Sequence, residues 1–421
     1  MAIWLTNLSV RERRTFWACF SGWVLDAMDV QFYAVALPTL VAVWGLSRSQ
    51  AGVLGTSALL FSSVGGWLAG ILADRIGRVR VLKLTILWFT AFTVLSGLTQ
   101  SYGQLLVARS LQGLGFGGEW AAGAVLIGEV IDKRIRGRVV GTVQSGWSVG
   151  YGAAVLLYTV LFSVARPELA WRLLFLLGPA PAIVVLWMCR NVEEPDVYQR
   201  AKQTPAASHQ RVTSLEIFQS PLRQRTIVAS LLAAGALGGN YTILTWLPTF
   251  LRTVRNLSVL STGSYLAVNI TGSFLGYVFS AHLCDWLGRR KTFVITAICA
   301  AVVVAVYTLV PLGGTALLLL GFPLGFFQSG IIAGMGATFA ELFPTRVRAT
   351  GQGFSYNSGR AVGSFVPALV GVMSANLGLA RAIGLCAMCS YAVVLAAAAM
   401  LPETRGQELT QEIGQELAAN A

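Results

Sequence analysis

Long apolar runs alternate with short polar connections along the whole chain. Twelve stretches reach the ~20 residues that a helix needs to cross a bilayer. They lie near 15–43, 50–73, 80–98, 103–130, 138–164, 171–190, 225–251, 262–284, 291–310, 313–341, 349–375 and 380–401. The pattern predicts an all-α membrane protein of twelve transmembrane helices. The longer polar stretch 191–223, rich in Gln, Ser, Pro and charge, divides the chain into two sets of six. Residues 1–190 are therefore expected to form one six-helix bundle, 191–223 a cytoplasmic linker, 224–401 a second bundle and 402–421 a cytoplasmic tail.

Composition strengthens this picture. Hydrophobic residues make up 55 % of the 421 and charged residues 12 %, against roughly 25 % charged in a soluble domain. The net charge of +13 could point to nucleic acid, but its placement points to topology. If both termini lie in the cytoplasm, 23 of the 31 Lys and Arg fall on that side and 6 on the other. That bias is the positive-inside pattern, and no nucleic-acid partner is expected. The expected location is a cytoplasmic membrane, multi-pass, with the lipid bilayer as surroundings and a monomer as the working unit. Residues 1–14 are short and polar and the apolar run after them is too long for a signal-peptide core, so no cleaved leader is expected. The six cysteines lie in or at the ends of spans, and Cys386 and Cys389 lack the histidines or second pair that zinc would require. Neither a metal nor a cofactor is expected.

The chain also repeats itself. GILADRIGRVR at 70–80 aligns with AHLCDWLGRRK at 281–291, pairing Asp74 with Asp285, Gly77 with Gly288 and Arg78 with Arg289, 211 residues apart. EVIDKRIRGR at 129–138 aligns with ELFPTRVRATG from 341, pairing Glu129 with Glu341 and Arg136 with Arg348, 212 apart. Two bundles related by a parallel repeat are an architecture of secondary transporters, whose site lies near the midplane between the halves. An Asp at one helix end can accept bonds from backbone NH groups at a neighbouring helix N-terminus, and the adjacent arginines can pair with Glu129 and Glu341. Asp74, Arg75, Gly77, Arg78, Glu129, Arg136, Asp285, Gly288, Arg289, Glu341 and Arg348 are thus candidates for a conformational latch. The alternative is that the arginines only set topology.

GILADRIGRVR resembles the loop signature of the major facilitator superfamily, and RSLQGLGFGGE at 109–119 resembles its fourth-span motif. The resemblance covers the whole chain and implies a two-bundle fold working by alternating access. LDAMD at 25–29, GGEW at 117–120, TWLPTFL at 245–251, YNSGR at 356–360 and PETRG at 402–406 are similar to the proton-coupled organic-acid branches, such as sialate, lactate and aromatic-acid symporters.

Five ionisable groups stand at membrane depth: Asp26, Asp29, Arg109, Glu119 and Arg360. Such residues are costly in lipid and normally face a partner or a cavity. Asp26 and Asp29 share a helix face, continued by Tyr33. Three carboxylates near one arginine cannot all ionise cheaply, so at least one is expected to accept a proton. In related symporters a first-span Asp and a fourth-span Arg form the coupling pair; Asp29 matches that Asp by position and Arg109 that Arg. Asp26 is a departure from the pattern, and Glu119 is either the proton site or an orienting residue. A structural Asp29–Arg109 bridge is the alternative.

No carboxylate surrounds Arg360 in sequence, so its expected partner is an anionic substrate, with an N-half carboxylate as the alternative. Asn357, Gln144 and Trp147 are the leading candidates to line the cavity beside it, followed by Asn240, Tyr241, Asn269 and Gln328. Together these readings predict a proton-driven carrier of a small organic acid, most simply a monocarboxylate. A sugar porter is the nearest rival, but the seventh span lacks the Gln-rich sugar motif. A drug antiporter usually carries Gly-Pro in its fifth span, where GWSVGYGAA has no proline. A nutrient sensor would add long tails, and neither a GxxxxGK[ST] nucleotide loop nor a nucleophile–base constellation supports a pump or an enzyme.

Overall fold

The computed structural model describes residues 8–131, 136–190, 192–194, 214–220, 222–343 and 348–404. Its described elements are helices: α1 (Val10–Trp44), α2 (Arg48–Ile76), α3 (Arg78–Leu98), α4 (Tyr102–Val130), α5 (Arg136–Val164), α6 (Pro167–Leu177) and α7 (Ala182–Arg190) in the first half. A 3-10 turn at Ser214–Phe218 precedes α8 (Leu222–Thr253), α9 (Val259–Leu287), α10 (Arg289–Leu309), α11 (Gly314–Leu342), α12 (Arg348–Gly363), α13 (Phe365–Leu377) and α14 (Leu379–Met400). Among the described residues, eleven helical spans are long and apolar enough to cross a membrane. The remaining expected span is α4, a continuous helix of 29 residues that carries Arg109 and Glu119.

Local chemistry accounts for the boundaries. Ser9 with Glu12 and Ser47 with Gln50 form capping boxes that satisfy the first NH groups of α1 and α2. Gly45, at φ 60°, ends α1 in the left-handed conformation. Two expected spans are each built from two helices. In the sixth, Pro179 and Pro181 lie in the turn between α6 and α7. In the eleventh, the helix breaks at Ser364, because Pro367 cannot donate to the carbonyl four residues earlier and its ring crowds that carbonyl. The freed geometry is used: the Pro367 carbonyl accepts a 3.1 Å bond from the Trp246 indole of α8.

The halves pack by the same plan. In the first, α2 lies along α4 and α1 along α5; in the second, α9 lies along α11 and α8 along α12. Small residues let these backbones approach, as where Gly150 meets the Val24 carbonyl and Gly276 the Phe326 carbonyl. Between halves, α2 packs on α12 and α13, α5 on α9, and α1 on α8. Large apolar side chains such as Trp67, Leu68, Leu156, Trp286 and Leu319 remain exposed on the outside, as expected of surfaces that face lipid.

The two ends of the molecule differ. At the end where α2 begins and α13 finishes, the halves touch directly. Gly52 abuts the backbone of Pro367 and Ala368, Gly371 abuts Arg48, and Arg48 donates to the Ser374 carbonyl at 3.4 Å. The Ala368 NH donates to Thr56 Oγ1 at 3.1 Å, and Arg252 donates to the Tyr158 hydroxyl at 3.1 Å. This face is closed.

At the opposite, basic face, carboxylates cap helix N-termini twice over. Gly77, at φ 110°, opens α3, and the Glu194 carboxylate accepts from the backbone NH of Arg78 at 2.8 Å and of Val79 at 3.0 Å. Gly288, at φ 94°, opens α10, and Glu403 accepts from Arg289 at 2.8 Å and Arg290 at 3.3 Å. Arg289 also holds Glu341 through two bonds of 2.8 and 3.1 Å, while Thr404 donates to the same carboxylate at 2.6 Å. Arg78 and Arg289 each donate to a carbonyl five residues earlier, at Ala73 and Cys284. The side chains of Asp74, Arg75, Glu129, Arg136, Asp285 and Arg348 lie outside the described residues.

Candidate functional site

The ionisable groups at membrane depth converge from α1, α4 and α12. Asp29 is the better satisfied carboxylate. Its Oδ2 accepts from Thr93 Oγ1 at 2.6 Å and from the Gln112 amide. Gln112 in turn accepts a 2.5 Å bond from Arg109, so the guanidinium reaches Asp29 through an amide. Arg109 also lies 4.7 Å from the Tyr33 ring centroid, and Tyr33 donates to the Ala51 carbonyl. The expected Asp29–Arg109 pair is thus a relay whose middle member the sequence reading did not single out. Gln112 lies three residues after Arg109, on the same helix face, and that spacing was its available signal.

Asp26 and Glu119 form a second, sparser group. Their carboxyls are neighbours, and Glu119 packs against Gly22, one turn before Asp26. Beyond one another, both Asp26 oxygens and one Glu119 oxygen have no hydrogen-bond partner among the described residues.

Across from them sits Arg360, 1 % exposed. One terminal nitrogen donates weakly to the Tyr356 hydroxyl at 3.4 Å, while Nε and the other have no partner among the described residues. Its guanidinium lies 5.1 Å from the Phe116 ring and 4.9 Å from the Tyr356 ring, with Asp26 and Tyr241 in electrostatic range. Aromatic faces partly compensate a buried cation, by ~2 kcal/mol when desolvated. They leave its NH donors unused. Tyr356, one turn before Arg360, was not singled out from the sequence.

A central cavity is lined among others by Asp29, Gln31, Tyr33, Arg109, Gln112, Phe116, Tyr241 and Thr245; Asp26, Glu119 and Arg360 are not among its lining residues, and Arg360 adjoins it through Phe116 and Tyr241. Trp147 packs on Trp23 and Phe116, 5.5 and 6.1 Å between centroids, and its indole NH has no partner among the described residues. Asn357 donates from its amide nitrogen to the Gly353 carbonyl and packs against Gly66 of α2, with its oxygen unpartnered among the described residues. Asn240 is buried beside Tyr241 on α8. Gln144 is half-buried, and its main-chain carbonyl accepts from the Trp23 indole at 3.2 Å. Asn269 of α9 donates to the Gly321 carbonyl of α11 at 3.2 Å, a bond between helices. Of the expected substrate contacts, Tyr33 and Tyr241 line the central cavity, whereas Arg360, Asn357, Gln144, Trp147, Asn240, Asn269 and Gln328 do not.

Residues 19–322 match the family model described as Major Facilitator Superfamily. A protein of Cupriavidus pinatubonensis named "Probable 4-methylmuconolactone transporter" is 44 % identical over 408 residues, covering 96 % of this chain and 94 % of that protein. The cis,cis-muconate transport protein of Acinetobacter baylyi is 32 % identical over 366 residues, covering 86 % and 87 %. The solved proton:xylose symporter XylE superposes with a TM-score of 0.75 over 97 % of this chain and 99 % of that one. Sequence identity to it is 19 %, so this likeness is one of fold.

Proposed function

Because the chain belongs to the major facilitator superfamily and is a multi-pass membrane transporter, we propose that it carries a small organic acid, most simply a monocarboxylate, together with a proton. Transport is into the cell across the cytoplasmic membrane, with both termini inside. The observation that carries this reading is Arg360, a fully buried cation with two nitrogens unpartnered among the described residues, adjoining a central cavity through Phe116 and Tyr241. Placing an arginine at a helix centre costs about 2.5–3.5 kcal/mol on insertion scales. A bound carboxylate repays that cost, and a bidentate bond to the guanidinium orients the ligand. The relatives named for methylmuconolactone and muconate support the same substrate class.

Charge balance supports the proton. Arg109 and Asp29 offset one another through Gln112, and a monoanion on Arg360 with a proton on Asp26 or Glu119 lets the loaded carrier reorient without added charge in lipid. In this reading Arg360, Asn357, Trp147, Gln144, Tyr33, Asn240 and Tyr241 contact substrate. Asp26, Asp29, Glu119 and Arg109 couple the proton. The carboxylate-capped basic face acts as the latch.

Uptake of a labelled panel of acids, sugars and cationic drugs into proteoliposomes, with and without an inward proton gradient, tests it. Gradient-driven accumulation of an acid is expected, abolished by Arg360→Ala and weakened at least tenfold in affinity by Arg360→Lys, which keeps charge but loses the fork. Acid uptake that is indifferent to Arg360→Ala, or uptake of sugars or drugs in place of acids, would overturn it.

A further inference from the structure

Gln31 carries a consequence that the charged groups do not. It lies on α1 two residues after Asp29, is 0 % exposed, and lines the central cavity. Neither its amide nitrogen nor its amide oxygen has a hydrogen-bond partner among the described residues. A buried amide left unpaired on both atoms loses its water without compensation. A side chain that paid this for packing alone would be better replaced by leucine.

The surroundings restrict what can pair with it. Phe116, whose ring carries the Arg360 guanidinium, lines the same cavity, as does Tyr241, a neighbour of Arg360. A ligand held by Arg360 therefore projects into the space that Gln31 lines. Among the described lining residues the cation is Arg109, and it is already engaged by Gln112 in the relay to Asp29. Arg109 and Asp29 balance one another, so that wall carries no net positive charge for a second carboxylate, and Asp29 repels one. An uncharged amide offers both N–H donors and a carbonyl acceptor, matched to an uncharged oxygen function.

Resting on the organic-acid reading above, we infer that Gln31 is a specificity-determining residue that hydrogen-bonds a neutral hydroxyl or carbonyl of the substrate. The preferred ligand is then an oxygenated monocarboxylate, bound by its carboxylate at Arg360 and by its neutral oxygen at Gln31. Plain monocarboxylates lack the second contact, and dicarboxylates bring a charge to a wall with no net positive charge for it.

The test uses three six-carbon acids as competitors of uptake in proteoliposomes: sorbate, with one carboxylate; muconolactone, with one carboxylate and a neutral lactone; and cis,cis-muconate, with two carboxylates. Wild type and Gln31→Leu are compared, and melting of each purified protein is followed with and without each acid. In wild type, muconolactone is expected to compete about tenfold better than sorbate, the size of one hydrogen bond, and better than muconate. In Gln31→Leu that advantage collapses to below about threefold while sorbate is unaffected. The ligand-free variant melts no lower than wild type, which separates a ligand-binding role from a structural one. An undiminished advantage in the variant, equal competition by sorbate and muconolactone in wild type, a preference for muconate, or a marked fall in ligand-free melting would overturn the inference. If no acid competes at all, it is the organic-acid reading itself that fails.

Discussion

The two carboxylate groups of the site are unequal at the level of single side chains. Asp29 is bonded by Thr93 and Gln112 and lies in the field of Arg109. Asp26 and Glu119 lie together with three oxygens otherwise unpartnered among the described residues, an environment in which two negative charges repel and a shared proton relieves the repulsion. Glu119→Gln keeps the shape and removes the exchangeable proton. It is expected to retain exchange of labelled acid across the membrane while losing accumulation driven by a proton gradient. Counterflow and gradient-driven uptake measured on the same vesicles check this; full accumulation by the variant would move the proton elsewhere. The ionisable residues were legible in the sequence because charge within an apolar run is conspicuous. Gln112, Gln31 and Tyr356 were not, because a neutral polar residue in a span is more often a helix-to-helix contact, and which face of the helix it occupies decides the matter.

Helices were legible for a different reason. A bilayer demands about twenty apolar residues per span, and that demand is written in composition, so the expected spans and the repeat of GRVR with GRRK could be placed from the chain alone. What composition does not register is the partner that arrives from elsewhere. Glu194 and Glu403, each just beyond the last span of its half, cap α3 and α10; the side chains of Asp74 and Asp285, expected to accept such bonds, lie outside the described residues. Each glutamate carboxylate bonds backbone NH groups at the positive end of a helix. Glu194→Ala and Glu403→Ala are each expected to cost about 1–2 kcal/mol and to lower the melting temperature of the purified protein. Glu194→Asp should recover less than the native residue if reach matters. Unchanged melting in both alanine variants would show that solvent replaces the caps at no cost. The break in α12–α13 is likewise a local effect of Pro367 that hydropathy cannot see.

In the whole molecule, the closed face is assembled from backbone contacts and hydrogen bonds, two of them donated by Arg48 and Arg252, with Gly52 and Gly371 allowing the halves to meet. A side chain at Gly52 would collide with the backbone at Pro367 and Ala368, and backbone cannot rotate out of the way. Gly52→Val is therefore expected to shift the resting population toward opening at this face. Reactivity of cysteines introduced along the cavity side of α1 and α8 reports the shift; an unchanged labelling pattern would show that the halves close by another route. The paired caps at the other face bear on how such a molecule is made. Glu194 directly follows the first bundle and Glu403 the second, so neither cap waits for the other half to be synthesised. Once residue 194 has emerged from the ribosome, the first six spans hold everything needed to seal the start of α3, while translation of the remaining spans continues. The duplicated chain is in this respect two successive acts of folding, and the site between Arg360 and the α1–α4 carboxylates comes into being only when the second is complete.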